Sequence, residues 1–429
     1  MEIHRKDACA TSKVMKKEEL LNRDNRQKLL NLIYSISATA IFNVVIQFFV
    51  YPSFERQMGE ERYGVVLAIL SMLAIAAGTC GYAVNCSRLL GVEKGRTNSG
   101  DYNLILLIFG TLCAILGTAY LFQLDLATPL SILLFISLIL ITMLRYYSEV
   151  EFRIKTDFFR YLIYHLLISL GYIVGLVVFR LSGQWMLTLI LGESLAVLYV
   201  VLRGSIYRAP FLHPSREFRL IFSSIGFILL SALIDNVVLH ADRILLLAIT
   251  GDGSAVTLYY VASLVGKIVA MFTLPINSLV ISYLSRYRGI LSRKMWLGIV
   301  AVASAFGGVA LLGCLIVSPW LIGILYPDML EAARPYFLPA ILGQIFYFVS
   351  GVLMIILLRF KGEKKQFFFN GTYAVVFFTC VALGTAWRGL YGFVWSILLA
   401  NALRFLAAIL WGLMGKMGAQ ALPKEPDPV

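Results

Sequence analysis

The chain has 429 residues, 59% of them hydrophobic and only 14% charged, with a formal net charge of +13 and a mean hydropathy of +0.82. Soluble globular domains run near half apolar and a quarter charged, so an ordinary soluble fold is excluded. Apolar runs of about 20 residues, the length a helix needs to cross a hydrocarbon core, recur along the sequence, and in lipid they must be helices because backbone polar groups have to pair within the segment.

In chain order, residues 1–28 come first as a basic segment expected in the cytoplasm. They are charged throughout and lack the apolar core and small-residue cleavage site of a signal peptide. Met15 offers a second initiation point, which would leave residues 1–14 untranslated. Twelve spans are then predicted: 29–51, 64–87, 103–122, 128–147, 159–180, 185–202, 219–248, 256–284, 295–317, 335–358, 367–385 and 389–414. The connections are short; the longest outer one, 318–334, has room for a small re-entrant helix at most. Pro275 is expected to weaken the eighth span, as a hinge or a static bend. The tail after 414 ends in a short proline-rich stretch.

Orientation follows from Lys and Arg, which favour cytoplasmic loops. Counting from a cytoplasmic N-terminus, 29 fall on the inner side and five on the outer: Arg56, Arg62, Arg180, Arg334 and Arg388. Arg243, Lys267 and Arg404 lie within spans. Both termini are therefore expected inside, and the positive excess faces anionic lipid rather than nucleic acid. The six cysteines lie mostly in spans without metal-type spacing and read as packing residues.

The connection GSIYRAPFLHPSREF, 204–218, carries Pro210 and Pro214 and falls after six spans. It divides the chain into an N-lobe (29–203), a linker (204–218), a C-lobe (219–414) and a tail (415–429). An internal repeat agrees with that division. Asn43-Val-Val in the first span matches Asn236-Val-Val in the seventh, and the turns Gly59-Glu60 and Gly251-Asp252 lead to Tyr63 and Tyr259. An even number of spans per lobe makes the repeat parallel, a plan used by secondary transporters.

No phosphate-binding loop of the G-x-x-x-x-G-K-[ST] type and no H-E-x-x-H motif is present, and the outer acids Asp125, Asp328 and Glu331 are isolated. The chain is therefore read as a non-enzyme. The chemistry left is that of polar groups within spans, which usually face a bundle interior or a water-filled cleft. Lys267 and Arg404 lie deep and are read as binding an anionic headgroup, Arg through its planar fork and Lys as a point charge. Arg145 and Arg88 lie nearer the inner ends, where binding and snorkelling to the interface are both open readings. Asn43, Gln47, Asn85 and Gln344 either line a sugar-binding cavity or join helices. Glu193 and Asp235 are candidates for coupling to H⁺ or Na⁺, and no other cofactor is expected. Gly171 and Gly175 mark a close helix contact, and the paired aromatics at span ends, such as Tyr146-Tyr147 and Tyr259-Tyr260, suit an interfacial belt.

In LIDNVVLHADRILLL, 233–247, the residues Asp235, Asn236, His240, Asp242 and Arg243 fall within an arc of about 160° at 100° per residue. The seventh span is thus amphipathic. Asp242 and Arg243 are placed near its outer end, paired with neighbours as part of an outer gate, and Asp235 deeper as the stronger functional candidate.

The first two spans, with Pro52, Met58-Gly59 and Tyr63-Gly64, resemble those of Wzx-type polysaccharide transporters of the multidrug/oligosaccharidyl-lipid/polysaccharide (MOP) superfamily. Asp242-Arg243 in the seventh span and Tyr259-Tyr260 after it are similar too, although Leu246-Leu247 replaces the usual glycine. The resemblance implies an all-α polytopic protein of two six-helix lobes, V-shaped as in MATE transporters, alternating between inward- and outward-open states. It also implies a bacterial cytoplasmic-membrane location and a cargo of oligosaccharide on polyprenyl diphosphate. Polymerase or other polysaccharide-assembly proteins would be partners beside the lipid. A MATE-like drug or cation antiporter and a membrane glycosyltransferase or polymerase are the competing readings.

Overall fold

A computed structural model of the protein describes residues 30–92, 95–96, 98–208, 210–271 and 289–414, with 27, 280, 417 and 418. The side chains of Asp235, Met271, Glu363 and Lys364 fall outside that description. Outside it too are the N-terminal segment apart from 27, Pro275 with its expected bend, and most of the tail.

The helices are α1 (Leu30–Met58), α2 (Glu60–Val92), α3 (Ser99–Gln123), α4 (Pro129–Lys155), α5 (Phe158–Ser182) and α6 (Trp185–Arg203). There follow α7 (Phe218–Thr250), α8 (Gly253–Met271), α9 (Arg293–Leu325) and α10 (Leu330–Lys361). The last stretch, Glu363–Leu413, is broken by non-helical backbone at Arg388 and Gly389, which separates α11 (363–387) from α12 (390–413). Ten helices among the described residues are long and apolar enough to cross a membrane, eleven with α7, which pauses at Asp235 between Phe218–Ile234 and Asn236–Thr250. One of the ten runs 49 residues, about 74 Å, more than twice a hydrocarbon core. Counted as two, it brings the total to the predicted twelve.

Helix starts follow the capping chemistry of the sequence. Asn98 accepts the Gly100 N–H ahead of α3, Asp157 that of Arg160 in α5, and Ser292 that of Met295 in α9, each satisfying a donor with no partner inside the helix. Thr128 and Ser131 form a reciprocal capping box before α4. Gly59 and Gly251, matched in the repeat, take left-handed φ of 77° and 67°, which glycine adopts without strain. π-helical turns interrupt α1 at Val45–Val50 and α2 at Ala74–Gly78. The expected outer loop 318–334 is largely helical: α9 runs on to Leu325, through Pro319, and α10 begins at Leu330 after one 3-10 turn. α9 continues because 320–325, WLIGIL, is itself apolar and a helix tolerates Pro319 there.

Contacts divide the chain into two units, residues 1–57 with 70–240 and residues 58–69 with 241–429. The division differs from the lobe boundaries read in the sequence at two places. First, the linker and the first part of α7, residues 218–240, belong with unit 1. Glu151 of α4 accepts the Ser205 and Ile206 N–H groups. Asp101 of α3, fully buried, accepts Ser215 through its N–H and its Oγ, both at 2.6 Å. Asn98 and Asn103 donate to His213 and Phe211 carbonyls, and Gly100 lies so near His213 that a Cβ would stand 2.3 Å from its carbonyl oxygen. Second, the start of α2, residues 60–69, belongs with unit 2. Thr257 donates to the Glu60 carbonyl at 2.6 Å, a Cβ on Gly64 would lie 1.7 Å from Gly253 O, and Tyr63 stacks on Tyr326.

Several tyrosines assigned to an interfacial belt are instead interior: Tyr147 is 0% exposed, Tyr259 and Tyr260 1%. The hydroxyl explains two of them, since a buried Tyr needs a partner. Tyr147 meets Arg88 and Tyr259 meets Asp242. Phe49 and Phe159, also at span ends, are exposed.

Candidate functional site

Each unit holds a cluster of charged residues within its spans. In unit 1 it is built on α4 and α6. Gly171 and Gly175 of α5 admit the α6 backbone, since a Cβ on either would come 2.5 Å from Gly192 or Thr188 Cα. Glu193, next to Gly192, is thereby set facing α4. Arg145 Nε lies 3.5 Å from Glu193 and its Nη1 3.6 Å from Glu149, one turn along α4. Thr142 and Tyr172 donate to Glu193. The Arg145 guanidinium lies 3.8 Å from the Tyr146 ring centre and 5.4 Å from that of Phe42. Arg145 and Glu193 are each only 4% exposed, so this is a closed, neutralised network.

Arg88 is likewise engaged. It donates to Tyr147 Oη, Ile206 O and Ser99 Oγ, and so ties α2 to α3, α4 and the linker. Asn85 donates to the Tyr146 carbonyl. Asn43 donates to the Thr39 carbonyl one turn back in its own helix. Gln47 lies in the π turn of α1.

In unit 2 the cluster spans α7, α8, α10, α11 and α12. Asp242, assigned from the sequence to an outer gate, and Lys267, assigned to headgroup binding, form one ion pair at 2.7 Å. Tyr259 donates to the same carboxylate oxygen at 2.9 Å, and the Arg243 N–H meets the other at 2.9 Å. The Arg243 guanidinium lies 5.0 Å from the Tyr260 ring centre. Asp235 is placed in α7, with its side chain outside the described residues, and His240 follows five residues later.

Arg404 sits between two rings, 4.6 Å from Tyr347 of α10 and 4.6 Å from Tyr373 of α11. Its buried Nε and Nη1 find no hydrogen-bond partner among the described residues. Tyr373 donates to Asn401, which donates to the Gly343 carbonyl, so the aromatic frame is itself held. Gly266 and Gly343 let α8 and α12 approach α10 closely. Lys267 lies 14 residues beyond Gly253 and Arg404 15 beyond Gly389, about 21 and 22 Å along their helices. The two cations therefore share one level, on helices flanking α10. Tyr347, Tyr373 and Asn401 were not singled out in the sequence. Tyr347 and Tyr373 lie 57 and 31 residues from Arg404 along the chain, which leaves no local signal, whereas Asn401, one turn before Arg404, was open to helical spacing.

No protein-family description matches the sequence, and neither does any curated protein. Solved structures do match. The chain is similar to lipid II flippase MurJ in an inward closed conformation, at 13% identity and a TM-score of 0.67, covering 90% of this chain and 88% of that one. It is also similar to an inward-facing multidrug resistance MATE family transporter of the MOP superfamily, at 14% identity and TM-score 0.61, covering 89% and 94%. A third match is a Pyrococcus furiosus MOP superfamily transporter, described as having a binding pocket of reverse polarity, at 15% identity and TM-score 0.53, covering 90% and 93%. The all-α chain has the fold of the MOP-superfamily transporters.

Proposed function

We propose that the protein is a flippase that moves oligosaccharide repeat units, carried on polyprenyl diphosphate, across the bacterial cytoplasmic membrane for capsule, O-antigen or exopolysaccharide assembly. It works by alternating access, with both termini in the cytoplasm. The observation that carries this reading is Arg404: a guanidinium deep in a span, framed by Tyr347 and Tyr373, with its buried Nε and Nη1 unclaimed among the described residues. A buried donor without a partner is costly, and keeping one is understandable where a ligand supplies the acceptor. A diphosphate does so, because its oxygens match the planar donor fork. Lys267 stands at the same level as a second cation. In this reading Arg145, ion-paired with Glu193 and Glu149, and Arg88, which donates to Tyr147, Ile206 and Ser99, hold unit 1 together, and Asn43 and Gln47 remain candidate sugar contacts. Likeness to a structure described as a lipid II flippase supports a lipid-linked cargo.

A second reading, a multidrug exporter, draws on the likeness to MATE transporters. Cationic drugs would be repelled by Lys267 and Arg404, so the first reading is preferred. The test is flipping of a fluorescent polyprenyl-diphosphate oligosaccharide in proteoliposomes. Wild-type protein should flip it, and Arg404→Ala should lose at least tenfold in rate at equal protein amount. A wild-type protein that leaves the lipid in place while conferring drug resistance would decide for the exporter.

A further inference from the structure

Asp242 and Lys267 are unequal partners. Asp242 is 4% exposed, and both its oxygens are engaged by Lys267, Tyr259 and the Arg243 N–H. The Lys267 side chain keeps 18% of its surface exposed, and of its three N–H donors Asp242 takes one. Among the described residues, the charged and titratable groups facing the carboxylate are Lys267 and Tyr259 from α8 and Arg243 from its own helix; His240 lies two residues earlier on α7, and Phe393 packs its ring edge-on against Tyr259. Lys267 is thus the hinge of a competition: an anion arriving at the level of Arg404 finds an ammonium already holding a buried carboxylate.

Resting on the flippase reading, we infer that the anionic headgroup and Asp242 compete for Lys267, and that Asp242 takes up one proton as the headgroup claims the ammonium. A sealed carboxylate stripped of its cation is strongly disfavoured, and protonation relieves it while Tyr259 stays within hydrogen-bond reach. The balance is simple. One proton from water adds to the Asp242 carboxylate to form the neutral acid, Lys267 remains an ammonium, and no bond of the cargo changes. The pair passes from net zero to net +1, which meets one negative charge of the headgroup. A proton suits the site better than a metal ion, because among the described residues no three His, Cys, Asp or Glu gather around it. Headgroup and proton then bind reciprocally, each strengthening the other. Cargo and proton are loaded together rather than exchanged.

The test uses the full chain in nanodiscs with undecaprenyl diphosphate, lacking any glycan, as the probe. Affinity is followed between pH 5.5 and 8.5, and proton uptake with a dye in weak buffer. Wild-type affinity should fall by up to about tenfold per pH unit as pH rises, the limit for one linked proton, with close to one proton taken up per probe bound. Replacing K⁺ by Na⁺ should change nothing. Asp242→Asn should bind more tightly than wild type, take up one proton fewer per probe and keep only the pH slope of the probe itself. Lys267→Met should bind at least tenfold more weakly. Tyr259→Phe, which removes a donor to the carboxylate, should move the pH-dependent range upward and serves as the second variant should Asp242→Asn not fold. A wild-type slope in Asp242→Asn, or Na⁺-dependent binding, overturns the exchange alone. A probe that fails to bind wild type at every pH overturns the flippase reading with it.

Discussion

Replacing Asp101 by Ala removes the acceptor that holds the Ser215 N–H and hydroxyl, both at 2.6 Å. Hydrogen bonds to an ionised group contribute about 1.5–3 kcal/mol each, so the loss should be about 3 kcal/mol, taking the lower value twice because the freed linker groups regain water. Asn98 to His213 and Asn103 to Phe211 still hold the segment, so the chain should remain folded while the end of the linker opens more often. In fast opening equilibria cleavage tracks the open population, and about 3 kcal/mol is a factor of about 150. Trypsin cutting after the exposed Arg216, followed by intact mass and gel analysis in detergent, reads that factor directly. Ser215→Ala, which removes one bond, should give about tenfold. Cleavage of Asp101→Ala at the wild-type rate would refute the role assigned to this carboxylate.

Glu193→Ala should lower thermal stability by about 3 kcal/mol, because it leaves the 4% exposed Arg145 short of a carboxylate; Glu193→Gln, which keeps the Thr142 and Tyr172 contacts, should lose less, as a melting curve in detergent would show. Gly64→Ala places a methyl where the Gly253 carbonyl oxygen now stands, so it should depress the melting temperature more than Gly226→Ala, where the added methyl meets nothing; equal melting temperatures would contradict the close contact.

The spans were legible because each is a local property: an apolar run of sufficient length, bounded by Lys and Arg, is settled within its own 20 residues. What escaped was tertiary. Residues 318–334 read as the connection between two apolar runs, yet the helices extend into it from both sides, with Pro319 inside α9. Asp242 and Lys267 received separate roles for a geometric reason. Eight residues before Thr250 and fourteen after Gly253 put their Cα atoms about 9 Å apart in depth. The long Lys stem spans that gap, which no count along a helix reveals. The Glu193–Arg145 pair rests on helices 48 residues apart in sequence, joined by glycines whose packing partners only the fold specifies. The tyrosines show the same limit from the other side: at a span's end in sequence, Tyr259 lies within reach of a buried carboxylate in space.

The π turns at Val45–Val50 and Ala74–Gly78 have a consequence for any reading of α1 and α2 by angular position. An extra residue lodged in one turn advances the phase of everything after it by about 100°. Asn43 precedes the turn in α1 and Gln47 lies inside it, so the two polar residues, an even i,i+4 pair on an uninterrupted helix, do not share that alignment. The same holds between Tyr63 and Arg88 on either side of the turn in α2. Each helix thereby presents one azimuth before its π turn and another after it; in α1 Pro52 follows two residues past the turn, and α2 makes the change with no proline. Removing a single residue from either turn would leave composition and hydropathy almost untouched while rotating half a helix past its neighbours.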